Sequence, residues 1–158
     1  MLRRSFAASI LAMMAAMPAY ADAISDAMAE VQVYAGQKTV WDGPTTGPVA
    51  AEGKTIVVLA GDMKNGGILG VTNGVTEAAG VIGWEVTVLD GAGSVQNRAA
   101  AFGQALALNP DGIVINGFDA VEQQAALDQA KAAGVPMVSW HAGPVTGPDA
   151  VNGIFANV

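Results

Sequence analysis

The sequence has no cysteine among its 158 residues. Disulfide bonds, thiolate catalysis and attachment of a lipid to an N-terminal cysteine are therefore excluded. A protein without disulfide bonds draws its stability from a packed core, and a hydrophobic content of 52% is enough to build one. The length suits a single globular domain.

Basic residues are scarce, because seven lysines and arginines stand against 14 acidic residues. Nucleic-acid binding depends on clustered basic side chains, and no basic run is present, so we exclude that function. The chain has one histidine, His141. One imidazole without cysteine is poor material for a zinc site, and we expect neither a metal nor a cofactor.

Residues 1–21 have the pattern of a secretory signal peptide. Arg3 and Arg4 give a positive start, and residues 6–17 form an apolar run that is too short to span a bilayer. Ala19-Tyr20-Ala21 then has the small-x-small pattern of a cleavage site. We expect cleavage after Ala21 and export to the periplasm.

The rest of the chain divides by composition. Residues 23–37 are partly apolar and predict a helix, and residues 39–53 are rich in glycine, proline and threonine. We therefore expect an N-terminal helix and linker over residues 22–53. The main domain is expected over residues 54–158.

From residue 54 onward, apolar runs alternate with segments of helical periodicity. Four runs predict strands and a fifth predicts a possible short strand: residues 55–60, 84–89, 112–115, 135–140 and 154–156. Strands that are apolar at nearly every position are typical of a parallel sheet covered on both faces. The prediction is a doubly wound α/β sheet with strand order 2-1-3-4.

Helices are predicted between the first four strands, over residues 67–82, 94–108 and 119–133. Ser94 and Asp119 stand where N-cap residues are expected. Glu122 follows Asp119 by three residues, the spacing of a capping box.

Polar and aromatic residues follow three of the predicted strands, at the carboxyl edge of the sheet where ligands of this fold class bind. They are Asp62, Asn65, Asn116, Asp119, Trp140 and His141. Carboxylates and amides can hydrogen-bond several hydroxyls at once, and an indole offers a flat apolar face to a sugar ring. We expect these residues to contact a neutral, hydroxyl-rich ligand.

The same residues have structural interpretations as well. Asp119 can be only a helix cap, and the two polar residues of the first loop can serve only to form turns. Asn116 can satisfy neighbouring backbone groups, Trp140 can belong to the core, and His141 can make a structural hydrogen bond. Strand alternation would also send the adjacent Trp140 and His141 side chains to opposite faces.

Motifs of common enzyme classes are incomplete. Gly53-Lys54-Thr55 resembles the end of a P-loop, but Pro48 stands where that motif requires glycine. Gly91-Ala92-Gly93 lacks the third glycine of a dinucleotide fingerprint, since position 96 is Gln96. No Gly-x-Ser-x-Gly elbow is present. We expect no enzymatic activity.

The motifs over residues 54–158, taken in order, resemble the N-terminal lobe of type I periplasmic substrate-binding proteins of sugar ABC transporters. The group includes ribose- and galactose-binding proteins. The matching segments are TIVVLA, GDMKNGG, WEVTVLDGAGS, NPDGIVINGFDAV and KAAGVPMVSWHAG. The resemblance implies two lobes that close on one small-molecule ligand through a hinge, with an ABC permease as partner. The chain would end before the second lobe.

The resemblance also implies roles for individual residues. Asn65 would contact the sugar, with Asp62 near it, and Asn116 would contact or shape the pocket. Trp140 and His141 stand where the ribose-binding pattern has an Asp-Arg pair. Glycines replace the aromatic pair that follows the asparagine of the first loop. These departures leave the class of sugar open.

Three other functions remain as alternatives. The first is an exported ligand-sensing domain that presents its closed form to a chemoreceptor or kinase. The second is an exported α/β enzyme. The third is a sugar-responsive transcription regulator, against which the signal peptide and the lack of a basic DNA-binding segment argue.

Overall fold

The computed structural model describes residues 17–35, 40 and 43–158. The arginine pair of the predicted signal peptide and its apolar run up to residue 16 lie outside the described residues. The chain divides into two units, Met1–Gly47 and Pro48–Val158. No helix among the described residues is both long enough and apolar enough to cross a membrane.

The first unit contains helix α1 (Met17–Ala35). It includes the helix predicted from residue 23 as far as residue 35, and residues 36 and 37 lie outside the described part. The helix also runs across the predicted cleavage position after Ala21. Residues 22–35 of α1 are exposed, including the apolar Ile24, Met28 and Val31.

The second unit is an α/β domain. Its strands are β1 (Thr55–Ala60), β2 (Glu85–Asp90), β3 (Gly112–Asn116), β4 (Met137–Trp140), β5 (Gly147–Asp149) and β6 (Ile154–Asn157). Its helices are α2 (Gly66–Val81), α3 (Val95–Ala107) and α4 (Gln124–Ala132), the last preceded by a 3₁₀ turn (Ala120–Gln123).

The strands form one sheet in the order β2-β1-β3-β4-β6-β5. All neighbours are parallel except β5 and β6. The predicted doubly wound fold and the order 2-1-3-4 are confirmed, and the possible fifth strand is β6, beside β4. The additional strand β5 has the sequence Gly-Pro-Asp, which has no apolar run, and it pairs only because the chain folds back on β6.

The main core lies between one face of the sheet and helices α3 and α4. It is built from alternate strand residues, such as Leu59 and Ile115, and from Phe102 and Leu127 of the helices. The opposite face carries α2, which buries Ile68, Thr72 and Ala79. This arrangement brings the amino end of α2 to the carboxyl edge of the sheet.

The predicted caps are present, but the capping box is wrong. The Ser94 hydroxyl accepts a hydrogen bond from the Asn97 N–H, and the Asp119 carboxylate accepts one from Val121. The Glu122 carboxylate pairs instead with the guanidinium of Arg98, which is also held over a phenylalanine ring. The Glu122 side chain, which would have completed the capping box, is therefore paired with an arginine of another helix.

Candidate functional site

The loop after β1 and the end of β4 meet at the carboxyl edge of the sheet. A Cβ added at Gly67 would lie 3.4 Å from Cη2 of Trp140 and 3.3 Å from Oδ1 of Asn65. Asn65 and Trp140 therefore lie close together at this edge, and His141 follows Trp140 in the chain. The glycine at position 67 allows the indole to approach the first turn of α2.

Asn65 is the N-cap of α2. Its Oδ1 accepts hydrogen bonds from the N–H groups of Gly67 at 2.9 Å and Ile68 at 3.2 Å. The residue is exposed. Its oxygen is thus committed to the helix, while Nδ2 makes no hydrogen bond to any described residue and can donate to a ligand.

Asp62 shapes the loop that leads to Asn65. Its Oδ1 accepts from the Lys64 N–H at 2.9 Å, and its carbonyl accepts from the Asn65 N–H at 3.0 Å. Asp90, at the end of β2, accepts from the Met63 N–H and so ties the loops after β1 and β2 together. The second carboxylate oxygen of Asp62 is close to Gly93.

Asn116 is placed differently from the other candidates, because it is completely buried. Its Nδ2 donates to the Ile68 carbonyl at 3.0 Å and to the Thr72 hydroxyl at 2.8 Å, both on α2. Its Oδ1 is buried and has no hydrogen-bond partner within the described chain. The side chain therefore anchors α2 to β3 beneath the edge, which agrees with its structural interpretation.

Asp119 is exposed and lines a cavity of about 510 Å³ together with His141, Asp149 and Asn152. One of its carboxylate oxygens accepts from the Val121 N–H at 3.2 Å. The other makes no hydrogen bond to a described residue. Asp119 is thus a cap with one carboxylate oxygen that can accept a further hydrogen bond.

Trp140 and His141 are stacked on each other, with ring centroids 4.1 Å apart and planes inclined by 18°. The expectation that strand alternation would separate them is wrong. His141 has a φ of 50°, in the left-handed region, so the alternation ends at Trp140. The His141 N–H donates to the Val158 carbonyl at 2.9 Å, which helps to hold this conformation.

Two residues of the same cavity, Asp149 and Asn152, escaped the sequence analysis. The Asp149 carboxylate accepts from the backbone and side-chain nitrogens of Asn152 and from the Val151 N–H. These bonds, chiefly the one from the Asn152 side chain, lower the pKa of Asp149. The Asp-x-x-Asn spacing is the local signal that could have indicated this turn.

Asn157 was also missed, although it supports the site from beneath. It is 6% exposed, and its Oδ1 accepts from the Ser139 hydroxyl and the Ala142 N–H. Its Nδ2 donates to the Val145 carbonyl at 2.7 Å. The loop that follows His141 is thereby fixed to β6.

A larger cavity of about 670 Å³ lies at the amino end of the sheet and does not include the candidate residues. It is mainly apolar, and Val75, Ile82 and Trp84 contribute to its wall. The Trp84 indole donates to the Ala51 carbonyl, which holds the ring in this wall. Within the described part of the chain, no group of three or more His, Cys, Asp or Glu residues could hold a metal ion.

Comparison with known proteins assigns the chain to a family. Residues 56–156 match the model of the periplasmic binding protein domain. The comparison with curated proteins found no match. Among solved structures, an ABC sugar transporter subunit from Rhodobacter sphaeroides is similar with a TM-score of 0.55 and 22% identity over 59% of this chain and 33% of that one.

Two further structures share the fold at low identity. A solute-binding protein of an ABC transporter from Agrobacterium vitis with bound allitol has a TM-score of 0.55 and 22% identity, covering 59% of this chain and 32% of that one. The transcription regulator CcpA of Lactococcus lactis has a TM-score of 0.51 and 17% identity, covering 63% of this chain and 34% of that one.

The chain thus spans about a third of the length of these structures. Binding proteins and a regulator share this lobe, so the fold alone does not decide between them. The family assignment rests on the domain model, which matches well over half of the residues. The chain belongs to the periplasmic binding protein family, whose members bind solutes.

Proposed function

We propose that this chain supplies one lobe of the extracytoplasmic solute-binding component of an ABC importer. The complete protein binds a sugar or sugar-like polyol in a cleft between two lobes and delivers it to a permease in the inner membrane. The observation that carries this proposal is that Asn65 lies close to Trp140, on which His141 stacks, at the carboxyl edge of a parallel sheet. Ligands of open α/β sheets bind at this edge.

The hydrogen-bonding groups left at the edge suit hydroxyl-rich ligands. The Asn65 amide can donate, and the second carboxylate oxygens of Asp62 and Asp119 can accept. Asn116 contributes indirectly, because it holds α2 and therefore the loop that carries Asn65. The similarity to an ABC sugar transporter subunit supports a sugar ligand.

Export is part of this proposal. The signal-peptide pattern of residues 1–21 and the family both support a periplasmic location. Mass spectrometry of the mature protein from the periplasmic fraction is expected to find Asp22 at the N-terminus. Retention of Met1 on the protein in that fraction would contradict cleavage after Ala21.

Calorimetric titration of the complete two-lobed protein with D-glucose, D-galactose, D-ribose and allitol tests the binding function. We expect at least one of these ligands to bind without being consumed. Turnover of a bound ligand would favour the enzyme alternative, and no binding by any member of a broad sugar and polyol panel would contradict the proposal.

The chain of 158 residues by itself is expected to bind the same ligand weakly or not detectably. One lobe provides only part of the contacts, and each loss of about 1.4 kcal/mol weakens binding about tenfold. Titration of this chain beside the two-lobed protein measures the difference. Equal affinities would show that the second lobe contributes nothing.

A further inference from the structure

We propose that the ligand packs on the imidazole of His141, with Trp140 as its backing, and that this surface selects a cyclic sugar over an open-chain polyol. The inference rests on the proposed function and specifies the ligand class of the same site. It also changes the expected roles of the two rings. The sequence indicated the indole as the stacking surface and assigned no packing role to the imidazole.

The order of the two rings is the first observation. They are stacked at 4.1 Å and nearly parallel, so one face of Trp140 is covered by the imidazole. The edge of the indole meets the start of α2 at Gly67. Trp140 is half-buried, whereas His141 is exposed. The outer layer of the stack is therefore the imidazole.

The cavities beside the stack are the second observation. His141 lines the cavity of about 510 Å³ and also a neighbouring one of about 310 Å³, and Trp140 lines neither. A ligand in either space therefore lies beside His141. In the larger of the two, Asp119 offers its unused carboxylate oxygen to a hydroxyl group.

The backbone of His141 is the third observation. A φ of 50° is an uncommon conformation for a residue with a side chain, and such strain is frequently kept at binding sites. This conformation places the imidazole against Trp140. Continued strand alternation would have placed the two side chains on opposite faces of the sheet. The hydrogen bonds from the His141 N–H to Val158 and from Asn157 to the following loop maintain it.

The shape of this surface points to a class of ligand. An imidazole stacked on an indole presents a flat face, with its polar atoms only at the rim. The C–H face of a furanose or pyranose ring is also flat and rigid, so it packs there without loss of torsional freedom. An open-chain polyol must first be ordered, which costs affinity. Ring closure, rather than the number of hydroxyls, is the property selected.

Matched ligands test the selectivity. The complete protein is titrated at neutral pH with D-glucose and D-glucitol, and with D-galactose and galactitol. We expect the sugar of at least one pair to bind at least tenfold more tightly than its alditol, a difference of about 1.4 kcal/mol. An alditol that binds as tightly as the sugar in every pair that shows binding would overturn the inference.

Two variants separate packing from hydrogen bonding. His141→Phe keeps a flat ring without nitrogen atoms, and we expect it to retain the affinity for the bound sugar within about threefold. His141→Asn keeps polar atoms and tolerates the left-handed backbone, so its expected tenfold loss would come from the missing ring. The opposite ranking would overturn the packing of the ligand on His141: the Asn variant would bind the sugar, and the Phe variant would not, at similar melting temperatures.

A direct readout is the NMR signal of the His141 imidazole protons, which is assigned in the complete protein by its loss in His141→Phe. The imidazole proton signals should lie upfield of free histidine owing to the stacked indole, and Trp140→Leu should remove that shift. Sugar should move these signals in the native protein. Sugar binding that leaves these signals unmoved would overturn this inference alone. No binding of any sugar or polyol would overturn the proposed function and, with it, the packing of a ligand on His141.

Discussion

The two edges of the sheet use the same kinds of side chain in opposite ways. At the amino edge, Asp111 takes hydrogen bonds on both carboxylate oxygens, from Lys54 Nζ at 2.8 Å and from the backbone and side chain of Thr55 at 2.9 and 3.1 Å. At the carboxyl edge, Asp119 uses one oxygen for a cap and leaves the other without a partner among the described residues.

The two carboxylates differ in the range of the contacts that they make. Asp111 joins the start of β1 to the start of β3, so its bonds are long-range and hold the sheet together. The Asp119 carboxylate accepts a hydrogen bond only from Val121, two residues later, so it stabilises its own turn. A carboxylate that shapes only its own loop and has an unpaired acceptor at a cavity suits ligand binding, and Asp119 at the carboxyl edge has this property.

The largest expected effect comes from Asn116, which lies at the carboxyl edge but points inward. Asn116→Ala would leave the Ile68 carbonyl and the Thr72 hydroxyl without their donor in a buried place. We expect a loss of about 1–3 kcal/mol in the free energy of unfolding, measured with urea. Asn73→Ala, on the exposed side of α2, is the control, and an equal loss in both variants would contradict the anchoring role.

A smaller effect is expected at the amino edge, and it depends on pH. The hydrogen bond from Lys54, followed by that from the Thr55 N–H, lowers the pKa of Asp111 from 3.8 to about 2. The folded state therefore favours the carboxylate. Its contribution to stability is fully present above pH 3.8 and is lost as the pH falls through about 2.

Asp111→Asn should accordingly lower the melting temperature at neutral pH, by less than the Asn116 variant because the site is exposed and screened by salt. The difference from the native protein should shrink below pH 3.8 and vanish below about pH 2. Glu77→Gln removes a charge from the exposed side of α2 and serves as the control. A difference that stays constant over this pH range would argue against the carboxylate as its source.

The smallest effect on stability is expected for His141→Gly at the carboxyl edge. Glycine relieves the left-handed backbone at this position, and the variant also loses the contact with Trp140. These changes oppose each other, and we expect the free energy of unfolding to stay within about 0.5 kcal/mol. A large loss would show that the stacked pair serves the fold, as Asp111 does.

Much of the architecture followed from local patterns in the sequence. The apolar runs at residues 55–60 and 112–115 predicted buried parallel strands because only a doubly covered sheet accommodates such runs. Ser94 and Asp119 predicted helix starts because capping depends on neighbouring N–H groups. Six candidate residues were placed after three strands by topology alone, since parallel strands end at one edge.

The directions of those side chains were decided by contacts between distant residues. Asn116 turns under α2 because Thr72, 44 positions earlier, offers an acceptor there. Glu122 does not complete the capping box because its carboxylate pairs with Arg98 of α3. Neither partner lies within the range over which sequence periodicity carries information.

The sequence by itself thus determined the α/β sheet, its strand order and the edge at which Trp140 and His141 lie. Only the tertiary structure decided that these two rings stack, because their relation depends on one backbone torsion that is held by a hydrogen bond to Val158, the residue after β6. Hydrophobic periodicity records which face of an element is buried. It does not record the φ angle of the residue that follows a strand, which long-range hydrogen bonds and packing select.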